Sequence, residues 1–97
     1  MAKGYWVARV DVDDIETYKT YIAANAAPFA EYGARFLVRG GQSENREGAL
    51  RQRTVVIEFD SYATALACYD SVAYQDAKAL RDPVSTGDMV IIEGYDG

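Results

Sequence analysis

The hydrophobic pattern along the chain switches between two periods, and the order of the switches predicts a fold. Residues 5–12, 35–41, 53–60 and 88–94 read as strands, and residues 15–32 and 62–80 read as helices. In the first strand Tyr5, Val7 and Arg9 point one way while Trp6, Ala8 and Val10 point the other, so neither face is purely polar. Thr54-Val55-Val56-Ile57-Glu58-Phe59 is the most strand-like stretch, and its β-branched run suits a central position covered on both faces.

The helices carry their own punctuation. Ile15, Tyr18, Ile22, Phe29 and Tyr32, with Asn25 between them, recur at steps of three and four and make one apolar stripe. Asp13 or Asp14 supplies the N-terminal cap, Glu16 adds negative charge to the first turn, and Gly33 ends the helix. Pro28 has no N–H to donate, which predicts a kink or break near residues 24–27. Ser61 caps the second helix, whose buried stripe is Ala65, Leu66 and Tyr69 and which is interrupted at Ser71-Val72-Ala73. Gly40-Gly41 turns the backbone, residues 42–52 form a polar, mobile hairpin connection, and Pro83 and Gly87 mark the loop before the last strand.

The order βαββαβ has one common closed solution. It is an α+β, ferredoxin-like sandwich, a four-stranded antiparallel sheet with both helices on one face, formed by residues 1–97 as a single domain. A chain this short buries only roughly 60–65% of its unfolded surface. Two helices cover one face of the sheet, so the apolar residues on the other face call for a partner. The simplest partner is a second copy of the chain, a homodimer closing into a two-chain barrel, although a tetramer or another protein would cover the face as well.

Composition then removes several function classes. The net charge is −5 and no basic run exceeds two residues, which argues against nucleic acid and anionic membrane surfaces as partners. No apolar stretch approaches the roughly 20 residues that span a bilayer. The start, Met1-Ala2-Lys3-Gly4-Tyr5, leads straight into a strand with no room for a signal peptide, and a cytoplasmic protein is expected. The single cysteine, Cys68, sits mid-helix among alanines and reads as a small buried side chain. There is no histidine, so a Ser-His-Asp triad and a Cys-His pair are excluded, and the usual haem and zinc ligands are missing. No metal-ligand spacing occurs, and capping and solvation account for Asp11, Asp13 and Asp14. No cofactor is expected.

Gly4-Tyr5-Trp6-Val7-Ala8-Arg9-Val10, Phe36-Leu37-Val38-Arg39-Gly40-Gly41, Arg53-Thr54-Val55-Val56-Ile57-Glu58-Phe59 and Ile92-Glu93-Gly94-Tyr95 together resemble a known family. It is the group of small bacterial proteins called domain of unknown function 1330, within the dimeric α+β barrel superfamily. The likeness runs from about Ala2 to Asp96. It implies the fold and the dimer, and it implies no activity, because the family has none assigned. The wider superfamily includes cofactor-free monooxygenases, lactone isomerases, haem-dependent dismutases and stress-response proteins.

Candidate chemistry is concentrated in a few side chains, each with a plainer structural reading. Eight tyrosines in 97 residues, with Tyr18, Tyr21, Tyr32, Tyr69 and Tyr74 on or beside helices, suggest an aromatic-lined pocket whose hydroxyls orient a small planar ligand. Ordinary core packing explains them too. Strict alternation groups Arg39 with Glu58 and Glu93. That grouping is either a site, with Arg39 holding a carboxylate or enolate and Glu58 as general base, or a structural ion pair. Asn25 either satisfies carbonyls freed by Pro28 or donates to a bound ligand, and Trp6 anchors the core or the dimer face. Arg81 meets the end of its helix or clamps an anion at a pocket mouth. Asn25, Arg39, Glu58, Tyr69, Tyr74 and Arg81 are therefore the candidate ligand-binding residues, with Arg39, Glu58 and Tyr69 the candidates for catalysis. The sequence supports a dimeric small-molecule-binding module without assigned catalysis. The alternative is a cofactor-free monooxygenase or isomerase acting on a small planar carbonyl- or phenol-bearing metabolite.

Overall fold

In the computed structural model, residues 2–49 and 51–96 are described. Leu50, within the expected 42–52 connection, and Met1 and Gly97, at the ends of the expected 1–97 domain, lie outside the described residues. The elements follow in the order β1 (Gly4–Val12), α1 (Ile15–Glu31), β2 (Arg35–Arg39), β3 (Arg53–Phe59), α2 (Tyr62–Asp70), α3 (Val72–Arg81), a 3₁₀ turn (Asp82–Val84) and β4 (Ser85–Glu93). The sheet order is β2-β3-β1-β4, and each neighbouring pair is antiparallel. This is the ferredoxin-like α+β architecture that the element order predicts.

Local chemistry explains most boundaries. Asp14 caps α1, accepting from the Thr17 backbone N–H at 3.2 Å and from its hydroxyl at 2.8 Å. At the other end Ala34 N–H donates to Phe29 O at 2.9 Å and Gly33 N–H to Ala30 O at 3.3 Å. That pair of bonds is a Schellman ending, which needs the positive φ of 69° that Gly33 adopts. Ser71 breaks the second helical segment in two. Its extended backbone ends α2, while its hydroxyl accepts from Tyr74 N–H at 3.1 Å and so starts α3. Three helices therefore stand where the hydrophobic period alone shows two.

Three expectations are corrected. Leu66, expected in the buried stripe with Ala65 and Tyr69, is exposed, and Cys68 is buried in α2 beside Ala65. Helix α1 runs unbroken through Pro28, with no interruption at residues 24–27. Proline removes a single backbone donor three residues before the helix ends, while Pro28 and Phe29 are both buried and hold the turn in place. Gly87 lies inside β4, opposite Val10, and not in the preceding loop. A Cβ there would come within 2.7 Å of Arg9 O, so this glycine marks a close backbone approach between strands. The 42–52 connection is also tied down where it rejoins the sheet: Asp11 accepts from Arg51 at 3.1 Å and from Gln52 N–H at 2.7 Å.

The core lies between the helices and one face of the sheet, with Trp6 at its centre. The Trp6 ring meets Phe29, Phe59, Tyr69 and Tyr74 at centroid distances of 4.8–5.8 Å, and its indole N–H donates to Ala65 O at 2.9 Å. Trp6 is thus a core anchor, not a dimer-face residue. Ala8, Val10, Val55 and Ile57 share its face. On the opposite face Val38, Val56, Val7 and Val90 form one row across all four strands. Leu37, Val90 and Ile92 are each half exposed or more. No helix among the described residues packs on that side.

Candidate functional site

Trp6 is large and Ala8, the next residue on the same face, is small, so the core fills at one end of the sheet and opens at the other. The opening is a cavity of about 470 Å³ between α1, α3 and the helix-facing side of the sheet. Trp6, Tyr18, Tyr21, Phe29, Tyr69 and Tyr74 form its aromatic wall, with Ala8, Val55 and Met89 among its apolar residues.

Polar and charged groups also border this cavity. The hydroxyls of Tyr21 and Tyr74 are 2.8 Å apart. Burial pushes the Tyr74 phenol well above its ordinary range, and the neighbouring Tyr21 adds to the effect against the opposing charge of Arg81. Burial likewise raises Tyr18. The Tyr18 and Tyr74 phenols are therefore protonated at neutral pH. The Arg81 guanidinium lies 5.5 Å from the centre of the Tyr21 ring. Arg81 and Lys78 both bind Asp82, at 3.1 and 2.8 Å.

Asn25 is 5% exposed and lines the cavity, and its side-chain amide has no hydrogen-bond partner among the described residues. It does not serve the carbonyls near Pro28. Its amide is open to the cavity and is available to a molecule bound there.

Five of the six candidate residues, Asn25, Arg39, Tyr69, Tyr74 and Arg81, line this one cavity. Glu58 does not. The proposed grouping of Arg39 with Glu58 and Glu93 rests on unbroken alternation, and β2 is not regular. A bulge at Leu37 shifts the register between Phe36 and Val38. Arg39 is thereby turned to the helix side, where its guanidinium stacks 4.2 Å from the Phe36 ring centre. Glu58 remains on the outer face, accepting from Tyr5 Oη and Arg35 Nε, both at 2.9 Å. Arg35 first, then the Tyr5 hydroxyl, holds its carboxyl below the usual carboxylate range. Glu58 is a structural partner of Arg35. Glu93 is exposed at the far end of β4, opposite Gly4.

One functional candidate was hidden. Arg53 lines the cavity beside Arg39, and its Nε is buried with no hydrogen-bond partner. The signal was available in the sequence, because Arg53 shares the parity of Val55 and Ile57 and so falls on the helix-facing side of β3.

Cys68 takes no part in the cavity. Its thiol is buried against Pro28 O at 3.9 Å, and desolvation pushes its pKa up to about 12. Ellman's reagent at about pH 8 is expected to leave the folded protein unlabelled and to react once urea unfolds it. Rapid labelling of the native protein would contradict this placement.

A ferredoxin-like α+β domain with a half-apolar cavity under its helices defines the class. The model of the family DUF1330, a domain of unknown function, matches residues 3–95, and the chain belongs to that family. No curated protein sequence matches it. Among solved structures, a protein of unknown function from Rhodopseudomonas palustris is similar with a TM-score of 0.78 at 13% identity, covering 99% of this chain and 85% of that one. The cofactor-independent oxygenase SnoaB from Streptomyces nogalater gives 0.65 at 13% identity, covering 100% and 97%. A dimeric ferredoxin-like protein of unknown function from Thermobifida fusca gives 0.60 at 17% identity, covering 95% and 89%. At these identities the likeness is one of fold. No helix among the described residues is long and apolar enough to cross a membrane.

Proposed function

We propose that the protein is a homodimeric binding module that holds a small planar molecule in the cavity between α1, α3 and the sheet. The observation that carries this reading is the aromatic-walled space of about 470 Å³ itself, bordered by the Asn25 amide, which makes no hydrogen bond to another described residue. A space of that size takes a molecule of one to three rings. The Tyr21–Tyr74 hydroxyl pair and Asn25 supply the few directional contacts such a ligand needs. The homodimer follows from the uncovered valine row on the other face of the sheet, and a solved dimeric protein of the same fold is consistent with it.

Binding is better supported than cofactor-free oxygenation or isomerisation, although SnoaB shares the fold. Such chemistry needs a proton acceptor beside the substrate. The carboxylates bordering the cavity are engaged, Asp82 by Lys78 and Arg81 and Asp88 by Arg51. Glu58 lies across the sheet.

Calorimetric titration with planar aromatic acids and their primary amides, of one and two rings, tests the reading. At least one member is expected to bind the wild type. Ala8→Phe, which fills the cavity from the sheet, is expected to abolish that binding while shifting Tm by only a few degrees. Silence of the whole panel, or unchanged binding by Ala8→Phe, would contradict it.

A further inference from the structure

The cavity carries more positive charge than its own groups neutralise. Arg39, Arg53, Lys78 and Arg81 line it from the helix side of the fold, in a chain whose net charge is −5. Lys78 and Arg81 share the single carboxylate of Asp82. Asp88, which also reaches the lining, is held by Arg51. Arg39 and Arg53 have no ion pair among the described residues. Arg39 is exposed and Arg53 is half-buried. Arg39 lies opposite Val55 on the neighbouring strand, and Arg53 is two residues from Val55 on the same face. The two cations are therefore diagonal neighbours, a placement within reach of long side chains and unfavourable for like charges. The Arg53 guanidinium also lies against Gly40, where a Cβ would meet its Nη1 at 2.5 Å, so it is directed toward the residue after Arg39. Its Nε is buried and unpartnered. Two adjacent unpaired arginines, one with a buried idle donor, make an arrangement that an anion would complete.

We propose that the cavity selects planar acids, and that Arg53 together with Arg39 forms the subsite for their carboxylate. This rests on the reading that the cavity holds a small molecule, and it names that molecule's class. The ring system lies among the tyrosines and Trp6, and the guanidinium groups take the anionic end. Arg39 is held in place by stacking on Phe36, and the bulge at Leu37 is what turns it inward. Arg53, which is the more enclosed, is the specificity-determining residue. Surrendering charge–charge stability for recognition is a common compromise at binding sites.

The test compares benzoate, naphthoate and biphenylcarboxylate with their primary amides, by calorimetry, on the wild type and on Arg53→Met and Arg53→Lys. Methionine keeps most of the apolar stem without the charge, and lysine keeps the charge without the planar fork. The wild type is expected to prefer an acid over its amide by about tenfold or more, the range of a charge-assisted hydrogen bond. Arg53→Met should bring acid and amide to parity, and Arg53→Lys should keep part of the preference. Thermal unfolding supplies a second readout: removing an unpaired cation should leave Tm unchanged or raise it by a few degrees. Equal affinity of acids and amides for the wild type would overturn the acid subsite and leave the cavity reading intact. So would an acid preference that survives in Arg53→Met, or a collapse of folding in that variant. Failure of every acid and every amide to bind would overturn both readings.

Discussion

Trp6→Ala is expected to lower stability by about 3–5 kcal/mol, the usual range for deleting a buried aromatic ring. For a domain of this length that corresponds to a fall in Tm of roughly 15 °C or more. The reason is geometric. The indole touches four other rings at once and satisfies Ala65 O, so its removal separates β1 from α1, α2 and α3 together. Neighbouring cavity space already lies beside it, and the void left behind joins that space instead of collapsing. Differential scanning calorimetry checks the value. A fall of only a few degrees would mean that the aromatic cluster does not organise this core.

Val90→Lys is expected to have the largest effect on assembly. Val90 is half exposed at the end of the row Val38, Val56, Val7 and Val90, so a lysine there is tolerated by the isolated chain. In the proposed dimer the same position is covered, and an unpaired buried ammonium is strongly disfavoured. The twofold axis of a homodimer places the substitution in the interface twice. The dimer should weaken by about a hundredfold or more, which is about 2.7 kcal/mol. Sedimentation velocity at micromolar concentration should show a monomer with an unchanged far-ultraviolet circular dichroism spectrum. A Val90→Lys protein that still sediments as a dimer would place the interface elsewhere.

The sheet, its order of elements and its helix caps were legible because each rests on local chemistry. Asp14, Ser61 and Gly33 announce helix ends through their own side chain or backbone freedom, and the alternation around Trp6 assigns the core face of β1. Pro28 misled because its local penalty is one missing donor, whereas the burial that overrides it is set by tertiary packing. Gly87 misled in the same way. A glycine in isolation reads as a turn, and only the neighbouring strand reveals that its missing Cβ makes room for Arg9 O.

The candidate site divides along the same line. Asn25, Tyr69, Tyr74 and Arg81 line the cavity, and helical spacing puts Asn25 and Tyr69 on the buried stripes, although the same spacing also assigns Ile15 and Leu66, which are exposed. Alternation groups Arg39 with Glu58, and the structure sets it beside Phe36 instead. The bulge at Leu37 has no strong sequence signature, and a single inserted residue exchanges the two faces of everything beyond it. Arg53 was missed for a different reason. It sits at the first position of β3, where a charged residue reads as a solvated strand end even though its parity with Val55 and Ile57 puts it on the helix-facing side.

The most direct measurement is a native mass spectrum of the protein as purified from its expression host. The account predicts twice the 10.7 kDa chain mass with a bound molecule of roughly one to three rings, released on denaturation. A bare monomer under conditions that preserve the fold would contradict both the covered sheet face and the occupied cavity.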